Sequence, residues 1–190
     1  MRNLVEQPVS SSILTSTGKW FDILKPDPSL IDLQDIASAL SKLCRFGGHC
    51  RQFYSVAEHS ILASDLMRQR YGNNLTLIRW ALLHDASEAY VVDIPRPAKC
   101  QLTEYIRIED GIQRAVAERF DLPWPMPEEV HEVDHDILSL ELRAYMPSQP
   151  DVLLPPLPVD WSVDELPIQP LFPSSAETEF LDKAKSLGIV

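Results

Sequence analysis

Half of the chain's 16 prolines fall between Pro147 and Pro173. Each proline inside a helix removes a backbone hydrogen bond and adds a clash, so no regular helix forms at that density. The stretch is expected to be an extended connection laid over the surface or over a partner. Residues 31–146 read differently, with few prolines and repeated helix signals. The contrast predicts an all-α bundle of about six helices with one proline-rich excursion near the C-terminus.

The start signals are specific. Asp32 is placed to cap IDLQDIASALSKLC, where Ile36, Ala37, Leu40 and Leu43 share a face and the helix is expected to stop near Cys44. Gly47 and Gly48 mark residues 45–54 as a loop. Ser55 and Glu58 form a capping box, opening a helix that runs to Gly72 with Val56, Ile61, Leu62 and Leu66 facing inward. Asn74 is a cap for a third helix carrying Leu77, Ile78, Ala81 and Leu82. A fourth covers 103–120 on a stripe of Ile106, Ile112, Ala115 and Val116, and Pro127 at N1 opens a fifth over 128–145. A second capping box, Ser174 with Glu177, starts a helix ending near Gly188. Residues 1–30 are turn-rich, and TGKWFDIL suits a short strand or an extended arm. The 190 residues make one domain: core 31–146, arm 147–173, C-terminal helix 174–188.

A net charge of −11 argues against non-specific binding to nucleic acid or to anionic membrane, though a small phosphorylated ligand needs only local cations. No stretch approaches the roughly 20 apolar residues of a membrane span. The N-terminus lacks the apolar core of a signal peptide, so the cytoplasm is the expected compartment. Cys44, Cys50 and Cys100 form no CxxC pair and are expected to be reduced, packed thiols.

The chemistry concentrates in WALLHDASEAYVVDIPRPAK, residues 80–99. His84 adjoins Asp85, and Glu88 follows His84 by four residues, the spacing of one helix face. Asp93 lies past the expected helix end, before Pro95 and Pro97. Three acids and an imidazole among Leu82, Leu83, Ala86 and Ala89 are costly to bury without partners, and a metal ion is the simplest account. His59 on the preceding capped helix and an acid from EVDHD, residues 132–136, supply further donors. Taken singly, His59 reads as a core histidine and a His-Asp pair as a surface feature. Together they make a nitrogen and oxygen set that suits one divalent transition ion: Mn, Co, Fe, Ni or Zn.

His59 in FYSVAEHS, then ALLHDASEAYVVDIPRPAK, then EVDHDILSLELRAYM resembles the HD-domain metal-dependent phosphohydrolases. More narrowly it resembles the small YfbR/YfdR-type bacterial and prophage members, 5′-deoxynucleotidase-like, whose corresponding stretch also reads HDASE before an Asp and a Pro. The likeness covers residues 31–146 and implies an HD-type helical bundle. It implies His59, His84, Asp85 and Asp134 as the four metal ligands. Asp134 is the choice because related sequences place the ligand acid seven residues before a Glu-x-Arg, here Glu141-Leu142-Arg143. The flanking Val133 and His135 depart from the family pattern, so Asp136 and His135 stay open.

The resemblance implies roles for the remaining polar residues. Glu88 would orient or deprotonate the attacking water, and Asp93 would protonate the leaving oxygen or fix the sugar. Arg45 resembles the arginine before the first ligand helix and would bind phosphate, with Lys99 and Arg96 as further cations. His49 is a further candidate at the phosphate, while Phe46 and Trp20 are candidates to stack on a base.

The expected activity is metal-dependent hydrolysis of a nucleotide phosphomonoester, with deoxynucleoside 5′-monophosphates as substrates. The other readings are a dNTP triphosphohydrolase on the same scaffold and a non-catalytic nucleotide-binding or regulatory module. Few cations near the motif favour one phosphate over three. Alarmone hydrolases carry a further acidic pair after His-Asp, where this chain has Ser87-Glu88. The arm is of a kind that wraps a second subunit, which admits a homodimer.

Overall fold

The computed structural model describes residues 10–150, 153–163, 166 and 170–190; parts of the N-terminal stretch and of the proline-rich arm lie outside the described residues. The fold is an all-α bundle. A two-stranded antiparallel hairpin, β1 (Ser12–Leu14) and β2 (Trp20–Asp22), precedes it, with Ile13 opposite Phe21. The helices are α1 (Leu33–Leu40), α2 (Val56–Tyr71), α3 (Leu75–Leu83), α4 (Glu88–Val91), α5 (Arg96–Lys99), α6 (Thr103–Arg119), α7 (Glu128–Tyr145) and α8 (Pro173–Ser186). α2 is central, packing on α1, α3, α7 and α8.

Local chemistry sets most of these boundaries. Asp32 caps α1 by accepting from Gln34 N, and Asn74 caps α3 by accepting from Leu77 N. At α2 the full capping box forms: Ser55 Oγ accepts from Glu58 N at 3.2 Å, while Glu58 Oε2 accepts from Ser55 N at 2.9 Å. Such a cap contributes about 1 kcal/mol. Here it also fixes the turn that carries His59. The core then closes over it with Ile36, Leu40, Met67, Ile78, Leu82, Leu83 and Ile112, all fully buried. Each such side chain contributes about 1.5–3 kcal/mol through removal from water.

Several expectations need correction. α1 ends at Leu40, not near Cys44, because Ser41 turns back with its hydroxyl on Ser38 O. Ile106 is exposed, so the buried stripe of α6 is Ile112, Ala115 and Val116. Pro127 occupies the N-cap of α7 rather than N1. The expected capping box at Ser174 does not form: α8 begins at Pro173 with Phe172 as its N-cap, leaving Ser174 inside the helix. Cys100 is exposed, whereas Cys44 and Cys50 are half-buried with their sulfurs 3.4 Å apart.

The most consequential correction concerns residues 84–87. The α3 helix stops at Leu83, and i→i+3 bonds follow from Ala86 N to Leu83 O and from Glu88 N to Asp85 O, both 3.0 Å. In such tight turns residues three apart eclipse. Glu88 therefore opens a separate short helix, α4, after this turn instead of continuing the helix that leads to His84.

The described parts of the arm lie on the bundle. Trp161 is buried under Arg70, whose guanidinium carbon sits 4.0 Å from the ring centroid, and Arg70 also pairs with Asp160 at 3.0 Å. Farther on, Leu171 N donates to Glu58 Oε1 at 2.6 Å, so the arm reaches the α2 capping box. Among the described residues no helix is long and apolar enough to cross a membrane.

Candidate metal centre

Three helices deliver the donors. His59, in the first turns of α2, is fully buried; His84 ends α3; Asp134 lies in the second turn of α7. Their ligand atoms all fall within 4.8 Å of one another. His59 Nε2 is 3.1 Å from His84 Nε2 and 3.0 Å from Asp134 Oδ1. Asp85 Oδ2 stands 3.3 Å from His84 Nε2 and 3.7 Å from His59 Nε2. Donors about 2.0–2.2 Å from a shared ion lie about 3.0 Å apart at right angles and about 3.4 Å apart in a tetrahedron. The observed separations span those values. The alternatives on α7 point elsewhere, since Asp136 pairs with Arg70 at 2.8 Å and His135 is exposed.

The proton inventory fits a metal. His84 Nδ1 lies 2.8 Å from Ala81 O, which can only accept, so the ring hydrogen is on Nδ1. His59 Nδ1 lies 2.7 Å from Glu141 Oε1, likewise an acceptor when ionised. In neutral rings both Nε2 lone pairs then face each other and two aspartates. Four lone-pair donors converging on one point are satisfied by a cation. Without a metal, protons take that part. Burial disfavours a charged His84, but Asp85 and Asp134 outweigh it and lift its pKa well above that of a free imidazole. For His59, burial and then Arg45 oppose the charge, yet Glu141 and Asp134 leave its pKa raised. Burial alone would raise Asp134, but its bonds to both histidines hold it well below the usual carboxylate range.

Behind the donors sits Glu141, which no functional role in the sequence reading anticipated. It is fully buried, with Oε1 on His59 and Oε2 accepting from Arg45 Nη2 at 2.9 Å and Nε at 3.2 Å. A carboxylate behind a ligating histidine fixes its orientation and raises its basicity. The available signal was an acid on the Asp134–Leu138–Glu141–Tyr145 stripe of α7, where a core-facing position would otherwise be apolar. Arg45 reaches this point because its loop closes on α2: Cys44 bridges Ser55, and Arg45 N donates to Tyr54 O at 2.9 Å. Its third nitrogen, Nη1, is 3.6 Å from Asp85 Oδ2.

The sequence is 41% identical over 133 residues to a protein of Escherichia coli K12 named Uncharacterized protein YfdR, spanning 70% of this chain and 71% of that protein. The chain belongs to the YfdR family. A second relative, Uncharacterized protein RCAP_rcc00048 of Rhodobacter capsulatus, is 36% identical over 136 residues, covering 67% of this chain and 68% of its own. No family model matches the sequence.

In this YfdR-family chain a second polar group flanks the donors. Glu88 is buried, and its Oε2 has no hydrogen-bond partner among the described residues. Burial, then Asp85 and Asp93, push its pKa well above the usual carboxylate range. Asp93 is half-buried, and its pKa is raised chiefly by burial, with Asp85 adding and Arg45 opposing. Lys99 Nζ bonds Glu109 Oε1 at 2.6 Å and stands 3.9 Å from Glu88 Oε1. Arg96, by contrast, is exposed on α5, and among the described residues no ion pair or hydrogen bond ties it to the cluster. Phe46 lies under Arg45, its centroid 5.6 Å from the guanidinium carbon; Trp20 is on the hairpin, and both Trp20 and His49 are exposed.

Proposed function

We propose that this chain is a metal-dependent phosphohydrolase of the HD type. Its substrates are nucleotides, with deoxynucleoside 5′-monophosphates as the class, and its cofactor is one divalent transition ion among Mn, Co, Fe, Ni and Zn. The observation that carries the reading is the pair of imidazole Nε2 atoms 3.1 Å apart, with their Nδ1 hydrogens already committed elsewhere. His59, His84, Asp85 and Asp134 would hold the ion. Such an ion lowers the pKa of bound water to near neutrality and neutralises a phosphate oxygen.

The chain's own residues supply the rest. Glu88, with one oxygen unpartnered among the described residues and a raised pKa, is a stronger base than a free carboxylate and is suited to take a proton from the attacking water. Asp93, also raised, can hold a proton for the departing 5′ oxygen. Arg45 faces the donors through Nη1, the nitrogen not bonded to Glu141, and offers it to a phosphate oxygen. Arg45 and Lys99 are both paired with carboxylates, which leaves little positive charge for a triphosphate and supports one phosphate as the substrate. The unpartnered Glu88 oxygen supports turnover over a purely binding role.

The test is phosphate release from a panel of ribo- and deoxynucleoside mono- and triphosphates, with and without Mn or Co. Release from deoxynucleoside monophosphates only with metal is the expected result. A metal-loaded protein silent on the whole panel would refute the enzymatic reading.

A further inference from the structure

We propose that Glu141 is a positioning residue that sets which nitrogen of His59 faces the ion, and that Arg45 makes the position intolerant of glutamine. The inference rests on the metal-centre reading above and deepens it.

The geometry leaves Glu141 no freedom. It is fully buried, Oε1 is held 2.7 Å from His59 Nδ1, and Oε2 accepts from Arg45 at 2.9 and 3.2 Å. A carboxylate accepts at both oxygens, so His59 must donate from Nδ1 and Nε2 keeps its lone pair. That lone pair points at His84 Nε2 and Asp134 Oδ1, 3.1 and 3.0 Å away.

Glutamine has the same shape but one accepting and one donating end. The Arg45 guanidinium has only donors, so it claims the amide oxygen. The amide NH2 then faces His59 Nδ1, which must accept. The ring hydrogen moves to Nε2, where ligation needs the lone pair. Glu141→Gln therefore weakens metal binding although Glu141 touches no metal, by about 10–100-fold if it behaves as other outer carboxylates do. Removing the donors of Arg45 lifts the constraint. With Arg45→Met the amide can turn its oxygen to His59, and the double variant binds metal more tightly than Glu141→Gln alone. A role in packing alone gives no such recovery, since the second substitution only removes further contacts.

Zinc affinity is measured by competition against a chelating dye for wild type, Arg45→Met, Glu141→Gln and the double variant, with circular dichroism verifying the fold. Nitrogen-15 spectra of the histidine rings in zinc-loaded wild type should show the hydrogen of His59 on Nδ1. The proposal is overturned if Glu141→Gln binds zinc as wild type does, if the double variant binds no better than the single, or if His59 carries its hydrogen on Nε2. The ring spectra of wild type decide the matter should Glu141→Gln fail to fold. Failure of wild type to bind zinc is a separate outcome that sinks the metal-centre reading itself.

Discussion

Metal addition to wild type and to Asp134→Asn gives the sharpest check on the centre. Asp134 Oδ1 lies 3.0 Å from His59 Nε2 and 3.7 Å from His84 Nε2, so it is the acid that completes the three-donor group. Asparagine keeps the shape but removes the negative charge. At a metal concentration one hundred times Kd, binding stabilises the folded state by about 2.7 kcal/mol. For a domain near this size each kcal/mol moves Tm by about 2–4 °C, so saturation should raise it by about 5–11 °C. If Asp134→Asn weakens binding about 100-fold, the same metal concentration only equals its Kd and yields about 0.4 kcal/mol, or about 1 °C. The assay is differential scanning fluorimetry of chelator-stripped protein against Mn, Co, Fe, Ni and Zn. Equal shifts in the two proteins would refute Asp134 as a ligand, and no shift with any ion would refute the centre.

Other expectations follow from the same geometry. Glu88→Gln should keep the metal-induced Tm shift while phosphate release falls by about 10²–10⁴-fold; an unchanged rate removes Glu88 from the chemistry. The raised pKa of His84 has a definite sign: in metal-free protein its protonated form adds stability below the free-imidazole range, and this is lost as pH rises through the folded value. Metal binding has the opposite slope, because the rings must lose that proton. The Tm increment on adding metal should grow from pH 5.5 to pH 8, and a flat profile would contradict the ligand assignment. Val92 precedes Asp93 with φ 66°, a conformation that strains a β-branched residue, and its side chain is exposed. Val92→Gly should therefore stabilise the fold by about 1 kcal/mol, net of glycine's larger entropy loss, and thermal melts that show a decrease would disprove the strain.

The legible parts of the fold were those governed by neighbours in sequence. Ser55 with Glu58, Asp32 and Asn74 act within one helical turn, and each capped the helix expected of it. His59, His84, Asp85 and Asp134 were legible as an ordered pattern, and α2, α3 and α7 bring them together. Hidden were features set by distant partners. Glu141 looked like a register mark because its meaning depends on Arg45, from a loop far away in the chain. The bond of Lys99, a candidate phosphate cation, to Glu109 was likewise hidden, because nothing local reveals it. Ser174 failed as a cap because Pro173, pre-set for a first helical position, starts the helix one residue earlier.

The turn after Leu83 explains how adjacent residues can serve one ion. In a continuous α-helix neighbouring side chains point about 100° apart, so His84 and Asp85 could share an ion there only if it lay between them. Ending α3 at Leu83 and tightening the next residues accompanies the approach of Asp85 Oδ2 to both imidazoles. The end of α3 also presents the negative pole of a helix to whatever cation binds. Asp85, Glu88, Asp93, Asp134 and Glu141 crowd this point, against Arg45 and Lys99, which are already paired. On the proposed function, a phosphate dianion entering that field would meet repulsion that a bound divalent ion lessens. On that proposal the order of events would follow from charge: the metal first, and the nucleotide second.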